Sequence, residues 1–212
     1  MGRIWPWQEA LEGEVAEAVR DRLASGDIVA LPTDTFYALA ADPFSEAALK
    51  RLFDLKQRAA QKPVLVLVAG PEMLPLVCRE VPGQALPLME RFWPGPLTLI
   101  LPARPGLPDL LTGGTGTVGV RQPRQAMVCR LLARLGFPVT GTSANRSGGP
   151  PLSRAEAVAR EFEELPLILD AGPCPGGAPS TIVDVSRDPP RLVRPGAIPA
   201  ETIRQVIPRL AP

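Results

Sequence analysis

Apolar residues recur at helical spacing through Leu11, Val15, Ala18, Val19 and Leu23, and Gly26 follows as a stop, so residues 8–25 read as an amphipathic helix. Residues 27–31 then read as a short buried strand. A second helix is predicted from Ser45, which is suited to cap it, with Glu46 in its first turn and Leu49, Leu52 and Phe53 forming one face as far as about Lys56. Pro63 closes the connection, and Val64 to Val68 is a continuous apolar run of the kind found in strands buried on both faces. Residues 71–92 read as helical pieces broken by Pro75, Pro82 and Pro87. After the stiff turn Phe92 to Pro96, residues 97–101 read as a strand. Residues 104–117 read as one long Pro/Gly/Thr-rich loop leading into a strand at Val118 to Val120 and then Arg121. Pro123 is expected to start a helix carrying Met127, Leu131, Leu132 and Leu135, which Gly136 ends. A strand from Val139 delivers Ser143 and Asn145 into a glycine-rich turn. Ser153 and Glu156 have the spacing of a capping box, Leu167 to Asp170 and Ile182 to Val185 read as strands, Leu192 to Arg194 follows a Pro-Pro turn, and a short helix is expected at 199–210. Strands alternating with helices early, and paired short strands late, predict one α/β domain over 1–212 with a twisted, mixed sheet.

Two polar clusters interrupt this pattern. Thr33, Asp34 and Thr35 lie just beyond a strand end, where open α/β sheets bind ligands, and the same three residues would equally satisfy a turn. Lys56, Arg58 and Lys62 lie on the link from helix to strand. They read either as charges gathered around one pocket or as a solvated helix end. Glycines in the 112–117 loop allow backbone amides to approach phosphate oxygens, although the terminal Lys-Ser/Thr of a Walker A loop is missing.

Composition narrows the chemistry. A chain of 212 residues with 45% hydrophobic residues can bury a substantial core, and a net charge of +1 gives it no strong field toward nucleic acid, so any anion site must be local. Histidine is absent, which removes the commonest general base and metal ligand. Cys78, Cys129 and Cys174 are far apart and lack CxxC spacing, so neither a disulfide framework nor a zinc site is suggested. The N-terminus has no apolar core of signal-peptide length, and no run reaches the ~18 apolar residues of a membrane span; a cytoplasmic protein is the expectation.

Leu31 to Tyr37, Lys56-x-Arg58 with Lys62-Pro63, Trp93 to Thr98, Val118 to Arg121 with Pro123, Thr142-Ser143-Ala-Asn145, and Pro179 to Val183 with Arg194-x-Gly196 occur in this order along nearly the whole chain. Together they resemble the YrdC-like family, whose best-known members are L-threonylcarbamoyladenylate synthases. The resemblance implies a concave, electropositive face and the conversion of L-threonine, bicarbonate and ATP to threonylcarbamoyl-AMP and pyrophosphate, with Mg²⁺ held mainly through the ATP phosphates. It implies catalytic roles for Lys56, Arg58, Ser143 and Asn145. It puts Thr35, Arg121, Ser143 and Ser180 at threonine, and Arg58, Lys62, Thr117, Asn145, Ser153 and Arg194 at the nucleotide. A tRNA threonylcarbamoyltransferase complex would take the product, with a weak tRNA or double-stranded RNA contact compatible with it. Two other readings are an RNA-binding module without catalysis and a carbamoyl-transfer domain. The chain departs from the family at Ala38 and Ala40, where glycines are frequent, at Lys62, where Asn often precedes the proline, and at Leu67, aligned with a histidine near the threonine site. Asp34 is a candidate by proximity for the base that deprotonates the amine.

Overall fold

The computed structural model describes residues 3–212. Its strands are β1 (Arg3–Pro6), β2 (Val29–Leu31), β3 (Ala38–Ala40), β4 (Val66–Leu67), β5 (Leu97–Pro102), β6 (Thr117–Arg121), β7 (Val139–Thr140), β8 (Thr142–Ser143), β9 (Leu167–Asp170), β10 (Thr181–Asp184) and β11 (Arg191–Arg194). Its helices are α1 (Glu12–Ala24), α2 (Glu46–Lys56), α3 (Leu74–Val77), α4 (Leu86–Phe92), α5 (Asp109–Thr112), α6 (Ala126–Leu135), α7 (Ala155–Glu161) and α8 (Ala200–Arg204).

The pairing is mixed, as the alternation of elements predicts, and the strands divide between two sheets. One has the order β1-β9-β2-β3-β8 and the other β11-β10-β5-β6-β4-β7. In the first, β2 runs parallel to β9 and antiparallel to β3, with Val29 opposite both Ala40 and Leu167. In the second, β5 pairs antiparallel with β6 and parallel with β10, bringing the ends of three strands to one place. The chain crosses between sheets at Thr140-Gly141-Thr142. Thr140 stitches the crossing: its Oγ1 donates to Leu39 O at 3.0 Å and accepts from Ala41 N at 2.8 Å.

The helices form where the apolar spacing places them. α1 buries Val15, Ala16, Val19 and Leu23, and packs on α6, where Arg130 bridges to Glu12 at 2.7 Å and Glu9 at 2.9 Å. α2 begins at Ser45, whose Oγ accepts from Ala48 N, and ends where Gln57 takes the left-handed conformation. The buried apolar residues of both sheets and the helices form one contiguous core. Among the described residues no helix is long and apolar enough to cross a membrane.

Several elements differ from the pattern expected. Of the run Val64 to Val68 only Val66–Leu67 pairs as strand, flanked by single bonds from Gly141 N to Leu65 O and from Val68 N to Arg121 O, while Val64 N turns to Leu111 O. The 104–117 loop contains the helical turn α5, and α6 starts at Ala126, three residues after Pro123. The Ser153 capping box does not form. Arg154 occupies the N-cap in extended conformation without a side-chain bond, while the Ser153 carbonyl accepts from Cys174 N at 2.8 Å.

Candidate substrate site

Beyond β2, Pro32 delivers the Thr33–Thr35 turn. Thr33 Oγ1 accepts from Thr35 N at 3.2 Å and bonds to Phe36 O at 2.7 Å, so this hydroxyl serves the turn itself. Asp34 points elsewhere: its Oδ1 accepts from Arg121 Nη2 at 2.6 Å and from Arg124 N at 3.0 Å. Arg121, at the end of β6 and 5% exposed, also donates through Nε to Gly95 O at 3.0 Å and through Nη1 to Thr35 Oγ1 at 3.2 Å. A guanidinium has five N–H groups, so three are fixed by the fold and two are left for a ligand. Asp34 is therefore the counter-ion that aims Arg121, and the amine base suggested by proximity is not a free carboxylate.

At the neighbouring strand end, Ser180 Oγ and Thr98 Oγ1 share a hydrogen bond of 2.9 Å, and Arg194 Nη2 donates to Ser180 O at 2.8 Å and to Ser180 Oγ at 3.2 Å. Gly196 permits this: a Cβ there would lie 2.3 Å from Pro179 O, so the backbone before β10 can approach only a glycine. Burial, and then the charge of Arg121, lower the Arg194 pKa. The two cations are thus poised for an anion rather than for each other.

The link after α2 supplies the third guanidinium. Arg58 donates to Lys62 O at 3.1 Å and Pro63 O at 2.8 Å, and burial lowers its pKa. Across from it, Asn145 Nδ2 donates to Arg146 O at 2.7 Å and Gly149 O at 2.8 Å. Its Oδ1 is buried without a partner and offers a ligand only an acceptor.

These groups line one cavity of about 350 Å³. It brings together Thr35, Arg58, Thr117, Arg121, Ser143, Asn145, Ser180 and Arg194 of the expected residues. Three of them it leaves out. Lys62 is exposed and contributes only its carbonyl to Arg58, Ser153 turns its carbonyl to Cys174, and Lys56 is buried against main-chain carbonyls behind the wall. Thr98 and the apolar floor residues Leu65, Ile100 and Ile182 carry no ligand role in the motifs, and Leu67, the position aligned with a histidine near the threonine site, joins that floor. Thr98 was legible as a hydroxyl inside an otherwise apolar strand; the floor has no local signal. Of the departures, Ala38 and Leu67 line the cavity.

The wall carries hydroxyls, amides and three guanidiniums, and no carboxylate is among its lining residues. Such a wall holds an anion with an adjoining hydroxyl-bearing group, and favours a reaction by orientation and charge neutralisation rather than through an enzyme nucleophile.

The Sua5/YciO/YrdC family model, described as telomere recombination, matches residues 21–196. The chain is 40% identical to the threonylcarbamoyl-AMP synthase of Pyrococcus abyssi over 87% of its own length and 55% of that protein's. To the threonylcarbamoyl-AMP synthase of Bacillus subtilis it is 38% identical over 87% of its length and 54% of that protein's. The chain thus spans about half the length of these curated relatives. The crystal structure of P. abyssi Sua5 complexed with L-threonine superposes with a TM-score of 0.91 at 36% identity, covering 100% of this chain and 62% of that one.

Proposed function

The chain belongs to the Sua5/YciO/YrdC family, and on that footing we propose that it is a threonylcarbamoyl-AMP synthase joining L-threonine, bicarbonate and ATP. The observation that carries this reading is the single cavity whose wall combines Arg121, Thr35 and Ser180 with Arg58, Asn145 and Arg194. The first three suit a hydroxy amino acid. The two uncommitted N–H groups of Arg121 take the carboxylate, and the hydroxyls pair the substrate's own. An apolar analogue would leave a buried hydroxyl unpaired at a cost of about 1–3 kcal/mol. The second three suit a nucleotide: guanidiniums for the phosphates and the free Asn145 Oδ1 for a hydroxyl or amine donor.

In the reaction, the threonine ammonium and bicarbonate give the carbamate, releasing water and a proton. A carbamate oxygen then bonds to the α-phosphorus as the bond to the bridging oxygen breaks, and pyrophosphate leaves. The residues' work is to bring two anions together and to spread the developing phosphoryl charge over Arg58 and Arg194. Among the described residues no group of three His, Cys, Asp or Glu could hold a metal ion. Mg²⁺ would therefore arrive with ATP, bound by phosphate oxygens and water, and supply further charge neutralisation. The product is a mixed anhydride, which a transferase acting on tRNA adenosine beside the anticodon would consume.

Pyrophosphate release from ATP with threonine and bicarbonate each omitted in turn tests the proposal. Release that requires both is expected. Release indifferent to threonine, or none with all three present, would overturn it.

A further inference from the structure

Of the three lysines, Lys56 alone is drawn inside, 1% exposed. Its ammonium donates to the carbonyls of Ser143 and Asn145, the latter at 2.6 Å, and its own carbonyl accepts from Ser147 N at 2.8 Å. The last turn of α2 thus grips the segment that carries two cavity-lining residues. Among the described residues no carboxylate pairs with it: Asp54 is bound to Lys50 at 2.8 Å on the exposed face, and Glu161 of α7 lies 3.4 Å from Arg146. The charge that acts on it is Arg58, from the link after α2, while Arg146, from the loop after β8, donates to Leu55 O at 3.2 Å. A buried ammonium is ordinarily paired; this one has only carbonyl dipoles, with Arg58 as a like charge nearby.

We propose that Lys56 is a positioning residue that works through the main chain, holding the Ser143–Asn145 segment against the nucleotide while its uncompensated charge makes polyphosphate binding depend on one proton. The inference rests on the synthase reading for the nature of the anion. Burial, and then Arg58, bring the Lys56 pKa down to about 8 in the free protein. A triphosphate entering beside Ser143 and Asn145 supplies the missing negative charge and raises it again, so binding near pH 8 to 9 takes up a proton. By reciprocity, affinity falls as pH rises past 8, by as much as about tenfold per unit. The neutral amine keeps two N–H donors for the two carbonyls. Raising the pH therefore weakens the anion's hold without releasing the segment.

Calorimetry of ATP binding at pH 8.5 in two buffers of different ionisation enthalpy counts the protons, and a series from pH 7 to 9.5 gives the slope. The intact protein should take up a substantial fraction of a proton. Lys56→Arg, whose guanidinium stays charged, should bind with little pH dependence, and Lys56→Met should bind at least about tenfold more weakly at pH 7 with no proton uptake. Binding without proton uptake, or a Lys56→Met protein with the parental slope, overturns the proposal. Should those variants fail to fold, ¹³Cε-lysine spectra of the parent decide, with the Lys56 signal assigned by elimination using Lys50→Arg and Lys62→Arg. Its midpoint should lie near 8 and climb by a unit or more with saturating pyrophosphate; a midpoint that pyrophosphate leaves unmoved refutes the linkage. No ATP binding at any pH would sink the synthase reading and this inference with it, whereas binding without the proton sinks this inference alone.

Discussion

Replacing Gly141 by alanine puts a methyl group at the crossing between the two sheets. The added Cβ would lie 2.5 Å from Leu67 Cγ and 2.8 Å from both Leu65 Cδ1 and Leu67 Cδ2, far inside the roughly 3.5–4.0 Å of a carbon contact. The backbone has little room to retreat, because Gly141 N is bonded to Leu65 O at 2.9 Å and Thr140 is bonded on both sides to Leu39 and Ala41. Leu65 and Leu67 both line the cavity, so the direction open to them is into it. Overpacking of this kind costs about 1–3 kcal/mol, and a chain of this size loses about 2–4 °C in Tm per kcal/mol. Two losses are expected together: a lower Tm by thermal scan and weaker threonine binding by calorimetry. Leu67→Ala alone should cost about 2–5 kcal/mol through the cavity it leaves. In the double variant the new methyl occupies part of that space, so its cost should be smaller than the sum by about 1 kcal/mol or more. A Gly141→Ala protein with parental Tm and parental threonine affinity, or strict additivity in the double variant, would refute the reasoning.

Asp34→Asn keeps an acceptor oxygen beside Arg121 but removes the counter-ion at 2.6 Å, so it should destabilise the fold by about 1–3 kcal/mol in urea. It should also raise KM for threonine more than it lowers kcat; a fall in kcat with KM intact would restore Asp34 as the base. Lys56, with its pKa lowered to about 8 from an ordinary 10.5, carries more protons in the unfolded chain across that window. Fold stability should therefore rise with pH from about 8 to 10.5, opposite in sign to the effect on ATP binding, and this rise should be missing in Lys56→Met. Burial pushes the Cys78 thiol up to about 12 and the Cys129 and Cys174 thiols to about 11. At pH 8 the folded protein should resist iodoacetamide and the denatured chain should react at all three cysteines, as mass spectrometry would report.

Elements specified by nearby residues were legible in the sequence. Ser45 caps α2 and Gly136 ends α6 because cap geometry involves only neighbouring residues. β3 escaped notice because Ala38–Ala40 is three residues of small side chains whose strand character comes from pairing with β2 and β8. The capping box at Ser153 does not form: the helix starts one residue later, with Arg154 at the N-cap, and the Ser153 carbonyl is bonded to Cys174 N, distant in sequence. In the site, Arg121, Ser180 and Arg194 line one cavity because the strand ends that carry them lie side by side in one sheet. Lys56 reads as a catalytic cation facing the pocket because a lysine at a helix end ordinarily reaches into solvent. Its partners are 87 and 89 residues away along the chain, and no local pattern encodes them.

The crossing at Gly141 also divides the residues proposed to hold the two substrates. Thr35 follows a strand of one sheet and Ser143 ends another strand of that sheet, whereas Arg121, Ser180 and Arg194 belong to strands, or strand ends, of the other. On the synthase reading, neither the amino acid nor the nucleotide would then be held by one sheet alone, and each would act as a cross-brace over the same seam. Occupancy by the first substrate fixes the spacing that the second must meet, so the two should bind cooperatively without touching. An alteration at the seam would shift both affinities in parallel, while one on a single strand end would shift only its own.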